Sequence, residues 1–286
     1  MFTEFGAKVS MWTTFNEPWS FVVQGYGTGG HAPGFTNSTT NTYTTAHHLL
    51  IAHAKAVHRF RELKKTSVVD DKARISIVLV DHYAYPLNAS DPRDVAAAER
   101  RIQFGLGWYL SPIVSGKYPD IMRERVGDRL PQFTSEEAAL LKGSYDLLML
   151  NHYSSHSVTD CDSETSMTKC SDLSLGWERD HGVDELRAPD GARLSSKSDV
   201  GEYNCKWFTG YPAGYLAYIK WAHAHDPTAD ILLTENGWCG NDSIENMDQL
   251  WYFQSYIGEV YKAITEFKIP VIGYTAWSFV DNYEWG

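Results

Sequence analysis

The run Arg74–Val80 (RISIVLV) leaves almost no room for a polar face. A segment so apolar and β-branched is expected at the centre of a parallel sheet, covered by helices on both sides. Four more apolar runs accompany it, at residues 9–14, 145–153 (YDLLMLNHY), 231–235 (ILLTE) and 270–281 (PVIGYTAWSFVD). Helical patterns lie between them at 43–65, 91–109, 212–225 and 247–267, with a short helix opened by Ser135 and Glu136-Glu137. In the first of these, Ala46, Leu49, Leu50, Ala54, Val57 and Phe60 recur at intervals of three and four. Ser111-Pro112 is expected to close the second. Strands alternating with helices build parallel βα units, so the class is α/β. Each run ends in polar residues: Asn16/Glu17, Asp81/His82, Asn151/Tyr153, Glu235/Asn236 and Trp277/Ser278. A (β/α)8 TIM barrel gathers its site at such C-terminal strand ends. Five strands do not close that barrel and leave an open sheet with unpaired edges. The polar stretch 154–206 is expected to be a long loop between a strand and its helix, with a disordered linker as the alternative. No repeat or second domain is evident, so residues 1–286 are taken as a single, incomplete barrel domain.

Composition narrows the function. With 286 residues, 43% of them hydrophobic, the chain can bury a sizeable core. The formal charge of 25 − 36 = −11 is spread without a long single-sign block, which argues against nucleic acid or an anionic membrane as partner. No apolar stretch reaches membrane-spanning length, and MFTEFGAKVSMW lacks the basic start and apolar core of a signal peptide. The ten Trp and seventeen Tyr serve a core, but they also suit sugar rings, whose C–H faces stack on indole while the hydroxyls take polar partners. Cys161, Cys170, Cys205 and Cys239 fit no zinc motif, and Cys161 and Cys170 bracket a polar segment that a disulfide could close. Sequons at Asn37, Asn88 and Asn241 point toward an extracellular or lumenal ancestry of the full-length relative. His47, His48, His53 and His58 share one helix without metal-ligand geometry and read as surface and packing residues. Trp12 and Trp19 read as packing as well.

Two glutamates carry the chemistry. Glu17 lies in WTTFNEPW (12–19) and Glu235 in ILLTENGW (231–238), separated by 235 − 17 = 218 residues. Acetal hydrolysis needs a proton for the leaving oxygen and a nucleophile at the anomeric carbon. Two carboxylates about 5–5.5 Å apart supply both with retention, and a wider separation admits water and inverts. One must stay protonated while the other is ionised, which repulsion and unequal burial can arrange. The reaction needs no cofactor, and nothing in the sequence indicates a metal.

WTTFNEP and LLTENG resemble the two active-site motifs of glycoside hydrolase family 1, the β-glucosidase family of retaining enzymes. Stretches 104–122 (FGLGWYLSPIVSGKYPDIM), 129–134 (RLPQFT), 142–153 (KGSYDLLMLNHY) and 277–286 (WSFVDNYEWG) agree in the same order. The resemblance implies Glu17 as acid/base and Glu235 as the nucleophile of a covalent glycosyl-enzyme. It further implies Asn16 on the sugar 2-hydroxyl, Tyr153 aligning Glu235, Asn151 beside both carboxylates, and Trp277 as a platform beneath the ring. Glu284 and Trp285 would reach the 4- and 6-hydroxyls, which favours an unphosphorylated 6-position. Each of these binding residues also admits a purely structural role. The implied substrate is a β-glycoside with a terminal non-reducing β-D-glucosyl or related residue, free or in an oligosaccharide.

The resemblance also marks departures. WTTFNEP is the family's fourth-strand motif, and only eleven residues precede Trp12. The glutamine of the first strand and the His-Trp pair of the third have no counterpart. The strands present are therefore numbers four to eight, and a gene-model fragment is expected rather than a naturally shortened enzyme. The competing reading is a catalytically inactive sugar-binding or interaction protein of the same family, against which both glutamates speak. A thioglucosidase is a third, disfavoured because that branch carries Gln at the acid/base position, where Glu17 stands.

Overall fold

The computed structural model describes residues 1–194, 208–239 and 244–280. A short helix α1 (Phe2–Phe5) leads into strand β1 (Met11–Asn16), which starts two residues later than the apolar pattern suggests and ends on the asparagine. Helix α2 (Pro18–Val23) follows with Pro18 in its first turn, where a missing N–H costs nothing. It runs into a π turn, and then α3 (Asn41–Lys65) returns along the sheet. Strand β2 (Arg74–Val80) is buried through its five middle residues, as its composition dictates.

The remaining parallel strands of the main sheet are β4 (Leu148–Asn151), β9 (Ile231–Glu235) and β10 (Val271–Tyr274), with β3 (Tyr83–Pro86), β5 (Ser155–Asp160), β6 (Val183–Arg187), β7 (Arg193–Leu194) and β8 (Thr209–Gly210) in smaller sheets. The main order β1-β2-β4-β9-β10 is sequential and every pair is parallel. Helices α3, α9 (Pro212–His225) and α10 (Met247–Thr265) lie between successive strands. This is a partial (β/α)8 barrel, with β1 and β10 as the sheet's edges among the described residues. The last strand is shorter than the pattern 270–281 implies, because pairing with β9 stops at Tyr274.

The second helical segment departs from the sequence expectation. The helix expected over 91–109 is two helices, α4 (Pro92–Phe104) and α5 (Leu106–Ser115), broken at Gly105. There the Asp81 carboxylate takes the place of a side chain: a Cβ on Gly105 would stand 1.8 Å from Asp81 Oδ2, which accepts the Leu106 N–H at 2.8 Å. Pro112 does not close the second segment; the helix carries it inside and stops at Ser115, before Gly116 at φ 78°. Helices α6 (Asp120–Val126) and α7 (Ser135–Leu141) complete this layer, the latter under a full capping box from Thr134 and Glu137.

Nor is the 154–206 stretch a plain loop over its described part, 154–194; residues 195–206 lie outside the described residues. Strands β5 and β6 join β3 in a three-stranded sheet, with α8 (Trp177–His181) between them. Most of their buried residues are polar, with Val158 and Val183 the apolar exceptions, which hid the strands from a hydrophobic pattern. Buried Thr159 donates to Asp94 at 2.5 Å, and buried Asp184 accepts the N–H groups of Met167 at 2.5 Å and Thr168 at 3.1 Å. Cys161 and Cys170 are joined in a disulfide across this turn.

The Asp81/His82 cluster is likewise removed from the site and serves the frame. Arg101, 1% exposed, donates to Asp81 at 3.0 Å and to Glu185 at 2.7 Å. Its guanidinium lies over Trp19 (5.7 Å to the centroid) and Trp177 (5.1 Å), so one buried cation links α2, β2, α4 and β6. Removing one partner of such a buried pair typically costs about 3–5 kcal/mol. Trp12 packs edge-on against Phe2 and Phe60. Of the α3 histidines, His47 stacks on Phe133, His58 pairs with Glu62 at the surface, and buried His53 meets the Thr14 hydroxyl at 2.7 Å. No described helix is long and apolar enough to cross a membrane.

Burial pushes His53 down to about 4 and His181 down to about 3, and His181 Nδ1 already accepts the Val183 N–H, as only a neutral ring can. In the unfolded chain both rings bind a proton below about pH 6.5; in the folded chain they resist until pH about 4 and about 3. Stability therefore falls as pH drops from about 6.5 toward 4, by up to roughly 3 kcal/mol per histidine. Urea midpoints measured across that window should decline, and His53→Asn should flatten the slope.

Candidate active site

The polar ends of β1, β4 and β9 meet at one point. Glu17 caps α2 with left-handed backbone (φ 51°, ψ 58°), a conformation a non-glycine residue adopts at some cost and which is common at functional turns. The turn is held on both sides: Glu17 N–H donates to Val78 O of β2 at 3.0 Å, and Ser20 N–H donates to Glu17 O at 3.0 Å. Glu17 thus leaves the sheet plane, with its carboxylate aimed at the residues that end β4.

Asn151, fully buried at the end of β4, donates from Nδ2 to Glu17 Oε1 at 2.7 Å and lies 3.3 Å from Asn16 Oδ1. Asn16 in turn donates to Glu235 Oε1 at 3.2 Å. Two amides therefore connect the two carboxylates in one chain. Thr234 orients the first amide by donating to Asn151 Oδ1 at 2.6 Å. Tyr153 donates to Glu235 Oε2 at 2.6 Å, so the nucleophile candidate receives a donor on each oxygen. Between Asn151 and Tyr153, buried His152 stacks on Tyr215, and burial pushes it down to about 3, so it brings no charge to the site.

In the sheet order, β2 and β4 stand between β1 and β9. Three inter-strand steps in a flat sheet would put those strands about 14 Å apart. A direct hydrogen bond from Asn16 to Glu235 requires strong curvature, and that curvature is the barrel's.

Behind Glu235 a second layer fixes the strand end. Asn236 donates to His152 O at 2.6 Å and to the Tyr252 hydroxyl at 2.8 Å, and accepts from the Tyr274 hydroxyl at 2.9 Å. Tyr252 donates its own hydroxyl hydrogen bond to Tyr153 O at 2.9 Å. Burial raises both Tyr252 and Tyr274, so they remain protonated donors. Trp277, 40% exposed, follows β10 and donates its backbone N–H to the backbone Asn236 O at 2.9 Å.

Asn16, Glu17, Asn151, Tyr153 and Glu235 are thus brought together, and Trp277 is tied to the same strand end through Asn236. Glu284, Trp285 and Asn241 lie outside the described residues; Asn37 and Asn88 are both exposed. Sequence reasoning missed Ser20, Thr234, Tyr252 and Tyr274. Ser20 was discoverable, because a serine three residues after a helix cap faces back onto it. Tyr252 and Tyr274 were not, since an apolar-patterned helix or strand presents a tyrosine as ordinary core.

A curved parallel sheet with two hydrogen-bonded glutamates at its C-terminal edge defines the paired-carboxylate class of barrel sites. Comparison with known proteins agrees: residues 1–286 match the description "Glycosyl hydrolase family 1", and the chain belongs to that family. It is 36% identical to beta-glucosidase 32 of Arabidopsis thaliana over 99% of this chain and 54% of that protein. Among solved structures it is similar to a rice beta-glucosidase (TM-score 0.85, 30% identity, 99% of this chain and 61% of that one). It is equally similar to an aphid myrosinase (TM-score 0.85, 31% identity, 99% and 59%). The chain spans about half the length of the curated relatives it matches.

One residue of the motif is required for shape. A Cβ on Gly237 would meet Trp277 O at 2.0 Å. Gly237→Ala should destabilise the chain by about 1–3 kcal/mol, measured as a lower urea midpoint with an unchanged m-value.

Proposed function

We propose that this chain supplies the carboxylate pair of a retaining O-glycosidase that removes terminal non-reducing β-D-glucosyl or related β-glycosyl residues. The observation that carries the reading is the amide bridge: Glu17 and Glu235, 218 residues apart in sequence (235 − 17), are linked through Asn151 and Asn16. Family membership supports the retaining mechanism.

In the first step a Glu235 oxygen attacks the anomeric carbon as the bond to the aglycone breaks, and Glu17 gives its proton to the departing oxygen. In the second, Glu17 takes a proton from water, whose oxygen displaces Glu235 and frees the sugar. Donors on both Glu235 oxygens fix the plane of its carboxylate for attack. Asn16, which donates to Glu235, would hold the 2-hydroxyl, a contact that strengthens in the transition state. Trp277 would underlie the ring, and Glu284 with Trp285 would take the outer hydroxyls. The second reading, a sugar-binding chain without turnover, draws on β1 and β10, each paired on one side only among the described residues.

Aryl β-glucoside hydrolysis tests the assignment. Glu235→Ala should abolish turnover, and azide, entering the vacated face, should restore it with an α-glycosyl azide as product. Glu17→Ala should instead yield the β-glycosyl azide, because azide then attacks the glycosyl-enzyme from the water side. Normal hydrolysis by the Glu235 variant would sink both role assignments.

A further inference from the structure

Ser20 stands three residues after Glu17 in α2 and is buried. Its hydroxyl donates to Glu17 Oε2 at 2.9 Å, while Asn151 donates to Oε1 at 2.7 Å. Each carboxylate oxygen therefore receives a hydrogen bond from a different element. The backbone of Ser20 already closes the helix turn through its bond to Glu17 O, which leaves the hydroxyl to the carboxylate. Donors on both oxygens favour the ionised form. They also fix the plane of a group whose terminal torsion is otherwise a broad two-fold rotor.

We propose that Ser20 is a positioning residue for Glu17: its hydroxyl orients the carboxyl and holds down its proton affinity. The proposal rests on reading Glu17 as the acid/base. That role requires the group to lose a proton to the aglycone and regain one from water in every cycle. A donor on Oε2 stabilises the ionised state between the two steps, and so sets where the alkaline limb of activity falls. Other titratable groups approach from each neighbouring element. Glu235 of β9 is connected through Asn16, and Tyr153 follows β4. Tyr218 of α9 is raised by burial and by the charges of Asp81 and Glu17, and Arg101 of α4 lies over Trp19. A substitution at Ser20 leaves all of these in place, so a change in Glu17 titration reports the missing hydroxyl.

The test is a carbon-13 NMR titration of the Glu17 side-chain carboxyl in the full chain, assigned by its absence in Glu17→Gln. Ser20→Ala should raise the Glu17 midpoint by about one pH unit, the worth of one hydrogen bond to a charged acceptor. Ser20→Thr, which keeps the hydroxyl, should titrate like the parent. If Ser20→Ala does not fold, the near-isosteric Ser20→Cys, a weaker donor, gives the same readout. A folded Ser20→Ala or Ser20→Cys chain with an unmoved Glu17 midpoint would overturn the proposal and leave Ser20 a packing residue. A parent chain that does not hydrolyse aryl β-glucosides would instead count against the hydrolase reading, and the titration would still decide the role of Ser20.

Discussion

Everything at the candidate site depends on the curvature of one parallel sheet. Asn16 and Glu235 belong to strands with two others between them, yet their side chains share a hydrogen bond. In a twisted but open sheet of the doubly wound kind those strand ends would diverge. In this chain they converge because the strands are tilted and coiled as in a barrel, with α3, α9 and α10 packed on the outside. The bulged register between β4 and β9 at Leu150/Asn151, and between β1 and β2 at Thr13/Asn16, falls at the strand ends that carry the functional side chains. Bulges of this kind re-aim side chains next to active sites.

Curvature places the strand ends; buried polar groups fix their details. Two separate networks do this. The Asp81–Arg101–Glu185 network, with Trp19 and Trp177 on the guanidinium, holds the outer side of α2 just beyond Glu17. The Asn236–Tyr252–Tyr274 network holds the segment after Glu235 to the backbone that follows β4, at His152 O and Tyr153 O. Both glutamates thus sit at the end of a strand with a hydrogen-bonded polar layer behind it. Such a layer keeps a charge-bearing site within the narrow geometric tolerance that group transfer demands. The left-handed backbone at Glu17 belongs to the same pattern, since its local cost is met by the packing around it.

The smaller β3-β5-β6 sheet has a supporting role. It closes one side of the helix layer through Arg100, which donates to Asp160 at 2.8 Å and to Gly182 O at 3.1 Å, and through Trp177, which donates to Phe104 O at 2.8 Å. Its buried residues mix polar side chains (Ser155, Thr159, Asp184) with small apolar ones (Ala84, Val158, Val183). A chain of that composition folds there because buried Thr159 and Asp184 find polar partners and because Ala84, Val158 and Val183 pack on Ala97 and Ala98 of α4.

Sequence alone determined the alternation of strands and helices, the parallel class, the places of the five strands though not the end of the last, and the two glutamates at strand ends. These follow from short-range rules: apolar runs of strand length, helical periodicity, and motifs that each lie within one strand and its following turn. The Cys161–Cys170 bond was legible for the same reason, since a short polar loop separates its partners. Tertiary structure decided the rest. It broke the helix at Gly105 because a distant carboxylate, Asp81, needs that space. It turned a polar stretch into strands because their partners lie elsewhere in the chain. It placed Asp81 in an ion pair rather than at the site, and it assigned Tyr252 and Tyr274 to holding Asn236. Periodicity records which face of an element is buried. Which polar group that face will meet is settled only when elements separated by tens to hundreds of residues pack together.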